Sequence, residues 1–333
     1  MHFHFCTYNH LEVYKGTLLD MFAWLQAGLE ELGHEVTFSN EAFSPFAVNV
    51  VWEGFSPESG AELGNSGLEY GIIVTEFMDG SGFNKGTPQS GHTDRRDEAY
   101  RRRWLGFQAA ASRARFFWSM VESNVVALRQ RAPASFIELG YSDRLLPTSS
   151  EEPRIDFSFT GIVTPHRQRI LEALQQRAHV VWNRTLLPLA ERDALFAATR
   201  INLSINKTVD WQMPSPTRVG MALLSKRGIA LDGTPQQTRQ SSLVDSCPPR
   251  MDFVDFALER LSQDWRSAAE VAFERYRSEL PMKAIMERVL DESCVSPQGP
   301  TLHARGRTYA PGQHMLGGHL GATVNLAVHE LRG

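Results

Sequence analysis

Short apolar runs alternate with amphipathic stretches along most of this chain, and that rhythm leaves little choice of architecture. Residues 2–7 read as a strand, and residues 16–32 as a helix with Leu18, Leu19, Phe22, Leu25, Leu29 and Leu32 on one face, ended by Gly33. Residues 34–39, 47–52, 70–77, 116–119 and 135–139 read as further strands, with helices over 95–114 and 122–131. A polar stretch with Pro147 and Pro153 interrupts the pattern, which then restarts. Strands are expected at 155–160, 179–182, 201–205, 228–231 and 242–244, and helices at 165–177, 187–199 and 215–225. Residues 252–290 read as helix in two or three pieces. Strand–helix–strand repetition at this spacing predicts an α/β protein with parallel sheets covered on both faces.

A chain of 333 residues is comfortable for two such units. The expected division is residues 1–140, a linker at 141–153, a second unit at 154–292, and a tail at 293–333 rich in glycine and histidine that packs back on the body. A net charge of -4 argues against a protein built to wrap nucleic acid. The run Arg101, Arg102, Arg103 follows Asp94, Arg95, Arg96, Asp97 and Glu98, and such mixed signs read as the solvated face of a helix. Cys6, Cys247 and Cys294 form neither a disulfide framework nor a zinc-type spacing, and no metal site is expected. The start lacks the basic and apolar blocks of a signal peptide, and no apolar run is long enough to span a membrane, so a cytoplasmic protein is expected.

The strongest local signal is Phe157-Ser158-Phe159-Thr160-Gly161-Ile162-Val163-Thr164-Pro165-His166-Arg167. A buried strand runs into a glycine turn and a helix with Thr164 at its N-cap and Pro165 at its first position. The free N–H groups of such a helix start attract phosphate, which makes sense of Arg167 in the first turn, where a cation otherwise opposes the dipole. A second signal is Asn206-Lys207 at a strand end, followed by Ser215-Pro216-Thr217-Arg218-Val219-Gly220 opening a helix. Both signals lie at the carboxyl ends of parallel strands, where ligands bind in open α/β sheets. Solvated surface arginines and lysines are the plainer alternative for each taken alone.

The order of these motifs resembles the donor domain of GT-B glycosyltransferases, and within them the bacterial spore-protein (CgeB-like) branch. Ile137-Glu138-Leu139-Gly140-Tyr141 resembles that branch's interdomain strand, and the resemblance spans about residues 136–290. It implies two facing Rossmann-like domains, with a nucleotide-sugar donor held by the second and an acceptor by the first. The donor would be a co-substrate, with no other cofactor, and the acceptor a small molecule, a glycan or a protein. The donor-binding candidates are Gly161, Thr164, His166, Arg167, Asn206, Lys207, Ser215, Arg218 and Asp232. Many members carry a ribose-gripping glutamate near the start of the donor helix; residues 215–224 contain no acid.

The acceptor side is expected to use Asn9, His10, Lys15 and Gly16, in a loop after the first strand. Glu76 and Asp79, where an apolar strand exits into a glycine-rich loop, are the candidate catalytic acids. An inverting transfer needs a base to take the proton of the acceptor hydroxyl. Two other readings fit the same pattern: a sugar-nucleotide epimerase or hydrolase, and a non-catalytic two-lobed ligand-binding protein.

Overall fold

The computed structural model describes residues 1–8, 12–40, 42–84, 94–147, 152–183, 187, 189–209, 211–234 and 236–295. The tail beyond residue 295 lies outside them, so the expectation that it packs back on the body falls outside the described residues. Six strands form the first sheet: β1 (His2–Cys6), β2 (Glu35–Ser39), β3 (Val48–Trp52), β4 (Tyr70–Val74), β5 (Phe116–Ser119) and β6 (Ala134–Phe136). All pairings are parallel, in the order β2-β1-β3-β4-β5-β6. The strand order reverses at β1, so the loops leaving β1 and β3 diverge and open a crevice at the carboxyl edge.

Alternation along the central strands divides the core in two. Val50, Trp52, Ile73 and Trp118 face a layer that contains α1 (Glu12–Glu31). Val51, Ile72, Val74 and Phe117 face the other layer, with α2 (Pro57–Asn65) and α3 (Asp94–Ala111). A short α4 (Val125–Arg129) precedes β6. Helix α2 was not expected. Its start is conventional, with Ser56 accepting from the Ser59 amide and Pro57 at the first position. Its interior glycines hide it from propensity, and they are there for packing: a Cβ on Gly60 would collide with the Gly106 carbonyl of α3.

The second sheet has the order β10-β9-β7-β8, again all parallel. Its strands are β7 (Ile155–Phe159), β8 (Val180–Trp182), β9 (Thr199–Ser204) and β10 (Gly228–Leu231). The helices are α5 (Pro165–Gln175), α6 (Leu189–Ala197), α7 (Pro216–Leu224), α8 (Phe253–Ser262) and α9 (Trp265–Glu279). The molecule therefore has two facing parallel α/β units, as the alternation implies. Several boundaries differ. Helix α1 begins at Glu12, β4 stops at Val74, and the strand expected at 242–244 is a 3-10 turn over Ser241–Leu243.

The chain crosses between the units twice, and the two crossings pair with each other. Tyr141 donates its N–H to Leu280 (2.7 Å) and accepts from Met282 N–H (2.7 Å). Trp24 Nε1 donates to the Gly140 carbonyl (2.9 Å), while Gln240 Nε2 and the Tyr276 hydroxyl donate to the Leu139 carbonyl (2.8 Å each). After the second crossing α10 (Met282–Glu292) packs on α1, and Arg288 donates to the Phe136 carbonyl beside β6 (2.9 Å). One apolar cluster consequently runs through both units. On the cleft side Arg192 of α6 forms a bidentate pair with Asp20 of α1.

Candidate functional site

At the carboxyl edge of the second sheet, β7 ends and Gly161 turns the chain at φ 127°. Thr164 then caps α5, its hydroxyl accepting from the Arg167 amide (3.3 Å) and donating to the Lys207 carbonyl (2.8 Å). That second bond ties the loop after β7 to the loop after β9. Arg218, from the first turn of α7, donates from Nε to the Thr160 carbonyl (2.9 Å) and lies over the Phe159 ring. Gly161 is required there for two reasons: its positive φ, and the guanidinium of Arg218 occupying the space a Cβ would take. Ser215 stands at the N-cap of α7 but makes no capping bond; its hydroxyl lies 3.2 Å from that of Thr217. This second helix start is thus uncapped, its first-turn amides unserved by the Ser215 side chain.

Arg167 is set deeper than a solvent-facing ligand would be. Nε donates to the carbonyls of Ile205 and Asn206 (3.1 Å each), and Nη1 to that of Ile162 (2.7 Å). It fastens the two loops together and places its charge beneath them. Burial pushes its pKa down to about 8, with the Arg218 charge adding to the fall and Asp232 opposing it; burial likewise pushes Arg218 down to about 10. Arginine keeps its proton in proteins, so this pressure is a standing demand for a nearby anion. Asp232 follows β10; its Oδ2 accepts from the Asn206 amide (3.0 Å) and lies 3.7 Å from His166 Nε2. Asn206 donates to the Gly233 carbonyl (2.9 Å).

At the carboxyl edge of the first sheet, Glu53 follows β3 and Glu76 follows β4 by two residues. Both pair with Arg103 of α3, which donates from Nη2 to Glu53 and from Nη1 to Glu76 (2.5 Å each). Glu53 is 0% exposed and also accepts from the Thr75 hydroxyl (2.7 Å); Glu76 also accepts from Asn84 Nδ2 (2.6 Å). Burial pushes the Glu53 carboxyl up, against the pull of Arg103 and with the Glu76 charge adding to the rise. Burial acts upward on Glu76 too, but Arg103, the Asn84 bond and the Lys207 charge outweigh it and hold Glu76 below the ordinary range.

Lys207 reaches this cluster from the second unit. Its Nζ donates to the Tyr100 hydroxyl (2.8 Å) and lies 5.3 Å from the ring centroids of both Tyr100 and Trp211. The two edges therefore meet at Lys207. A cavity of ≈ 330 Å³ lies between the units, lined by Glu122 and Ser123 of the first and by Met213, Gln236, Gln237 and Thr238 of the second.

The other expected site residues are set differently. Asn9 and His10 lie outside the described residues, and Lys15 and Gly16 belong to α1 rather than to a loop, because the helix starts four residues earlier than its glycine suggests. Asp79 is exposed, and one carboxylate oxygen accepts from the Ser81 amide and hydroxyl (3.0 Å each), as in a loop turn. Glu53, Arg103, Tyr100 and Trp211 were missed. Glu53 had a readable signal, an acid directly after the apolar run Val48–Trp52, in the same setting as Glu76. Arg103, read as part of a solvated run, turns inward.

No family profile matches the chain, and no curated protein matches it in sequence. Its fold is nevertheless found among solved structures. An alpha-glucosyltransferase, in complex with UDP and a 13-mer DNA containing a central A:G mismatch, superposes with a TM-score of 0.57 at 9% identity, covering 88% of this chain and 100% of its own. WaaG, a glycosyltransferase involved in lipopolysaccharide biosynthesis, gives 0.56 at 12% identity, covering 88% and 100%. AviGT4, a glycosyltransferase involved in avilamycin A biosynthesis, gives 0.52 at 14% identity, covering 88% and 97%. The chain thus has the GT-B fold, two parallel α/β units facing across a cleft. Among the described residues, no helix is long and apolar enough to cross a membrane and no cluster of side chains suits a metal ion.

Proposed function

We propose that this chain is a glycosyltransferase that moves a hexose-like sugar from a nucleotide-sugar donor to an acceptor hydroxyl. The observation that carries this is the under-compensated positive edge of the second sheet, facing a carboxylate cluster on the first across one cleft. The fold supports it: the proteins that share it include a T4 phage glucosyltransferase in complex with its UDP-glucose substrate. The order of motifs from Phe157 to Asp232 supports a place near the CgeB-like branch, in a cytoplasmic bacterial protein.

In this reading the donor phosphates sit over the starts of α5 and α7, against Arg218 and Lys207, with Arg167 beneath. Gly161 and Thr164 shape the floor, Ser215 offers its hydroxyl, and Asn206, Asp232 and His166 take polar groups of the sugar or ribose. The acceptor oxygen forms a bond to the anomeric carbon as the carbon–oxygen bond to phosphate breaks, and the electron pair leaves with the nucleotide. The leaving charge is met by fixed cations and helix amides, so the reaction is proposed to need no metal ion. Glu76 is the proposed recipient of the acceptor proton. The acceptor is taken to be a small molecule, glycan or protein; a net charge of -4 disfavours a nucleic acid.

Titration calorimetry with UDP-, GDP-, dTDP- and CMP-sugars tests the reading. At least one should bind, and Arg218→Ala should weaken it about tenfold or more, equivalent to 1.4 kcal/mol. Absence of binding across the panel, or unchanged affinity in Arg218→Ala, would count against it. Turnover of a bound donor with no acceptor added, at the rate seen with one, would favour an epimerase or hydrolase.

A further inference from the structure

We infer that Lys207 is a positioning residue shared by the two sides of the cleft: it attends Glu76 while the donor site is empty and turns its charge to the donor phosphate when the site fills. Donor arrival would thereby make Glu76 a better proton acceptor. The inference rests on the donor reading above and adds a coupling between the two half-sites.

The chain of contacts is continuous. Lys207 stands on the loop after β9, and its carbonyl is held by the Thr164 cap of α5, which fixes the lysine at the edge where phosphate is placed. Its side chain crosses to the first unit and donates to the Tyr100 hydroxyl (2.8 Å). Tyr100 and Arg103 lie three residues apart on α3, with the Arg103 guanidinium 5.9 Å from the Tyr100 ring centroid. Arg103 in turn grips Glu76 at 2.5 Å.

Among the described residues, the charged groups facing Glu76 are Arg103 from α3, Glu53 from the end of β3 through the shared arginine, and Lys207 from the second unit; Asn84 adds a neutral bond. Arg103 is bound on both sides by carboxylates and cannot leave without stranding a buried acid. Lys207 donates to the Tyr100 hydroxyl and lies against two rings, and a phosphate anion would offer its ammonium a charged partner in place of that neutral hydroxyl. Even if its side chain stays in place, a phosphate beside it cancels the field it exerts on Glu76. Loss of a nearby cation moves a carboxyl titration to higher pH. By linkage, a proton on Glu76 and a donor in its site must then favour each other.

The test follows Glu76 directly, with protein labelled at the glutamate side-chain carboxyl carbon and its resonance assigned by its absence from Glu76→Gln. UDP-glucose serves as the probe, because its diphosphate carries the same charge across the titration. Saturating UDP-glucose should move the Glu76 midpoint to higher pH in the wild type. In Lys207→Met the ligand-free midpoint should already be raised, and ligand should add no further shift. Lys207→Arg, which keeps the charge, should behave as the wild type and shows that the loop tolerates substitution. A wild-type midpoint that UDP-glucose leaves unmoved, or an equal ligand-induced shift in Lys207→Met, overturns the coupling and leaves the donor site standing. Failure of UDP-glucose to bind the wild type removes the coupling as stated for this donor, and that failure shows in calorimetry before any titration.

Discussion

The two sheet edges that face each other across the cleft handle charge in opposite ways. On the first, two acids share one arginine, and each acid has a further anchor in Thr75 or Asn84. On the second, Asp232, itself occupied by the Asn206 amide, opposes the effect of burial on Arg167, while Arg167 and Arg218 both lean on carbonyl oxygens and the Phe159 ring. On the first edge both carboxylates are answered by a cation and a neutral donor, although Arg103 Nε has no hydrogen-bond partner among the described residues. Among the described residues, the second carries more positive charge than its own groups answer, and the uncapped start of α7 adds to it. A closed network keeps a reacting group in place, and an open one is what a phosphate ligand completes.

Breaking the closed network should have the largest effect. Arg103→Met leaves Glu53, fully buried, and Glu76 without their common cation. A loss of about 3–5 kcal/mol in unfolding free energy at pH 7 is expected, the range for stranding a buried charge. The sign with pH follows. Glu76 is held low against burial, mainly by Arg103, so its contribution is present above the unfolded carboxylate value and disappears as pH falls through the folded one. Without the arginine both acids are pushed upward by burial, and protonation relieves them, so the deficit should shrink in urea melts run at acid pH. A variant as stable as the wild type at pH 7 would mean that Glu53 already holds a proton and needs no partner, and the contrast between the edges would narrow.

Disturbing the open edge should cost less stability and more binding. Gly161→Ala puts a Cβ where the Arg218 guanidinium lies, on a backbone at φ 127° that side chains disfavour. Strain of this kind costs about 1–3 kcal/mol. The displaced guanidinium should lower affinity for the donor about tenfold or more, which is 1.4 kcal/mol or above. Calorimetry beside a thermal melt separates the two losses. Unchanged affinity in a destabilised variant would show that Arg218 serves the loop alone.

This contrast also decides what the sequence revealed. The second edge was readable because its signals are local: a glycine turn and Thr164-Pro165 follow closely on β7, and Ser215-Pro216 directly opens α7. The first edge depends on partners distant in the chain, with Arg103 27 residues from Glu76 and 50 from Glu53. Nothing near Arg103 distinguishes it from Arg101 and Arg102, which stay outside beside Glu98 and Glu58. The succession of strands and helices was largely legible through alternation, whereas α2 was not, since Gly60 and Gly64 lower helix propensity and serve contacts made only in the folded protein.

The finest comparison lies within the second edge, between its two helix starts. The Thr164 hydroxyl is committed twice, to the Arg167 amide and the Lys207 carbonyl. The Ser215 hydroxyl serves no amide of α7. Thr164→Ala should therefore cost about 1 kcal/mol of stability, the usual value of a working cap, and Ser215→Ala no more than a few tenths. For binding, the order should reverse if the start of α7 is kept open for phosphate. Ser215→Ala then removes a hydroxyl that in the empty site meets only the neighbouring Thr217 hydroxyl among the described residues, at a cost of about 0.5–1.5 kcal/mol in UDP-glucose affinity. Urea melts and calorimetry on the two single variants give four numbers, and the crossed pattern is what matters. If Ser215→Ala destabilises as much as Thr164→Ala, its hydroxyl caps α7 in solution, both helix starts are closed, and the open charge of this edge rests on the arginines alone.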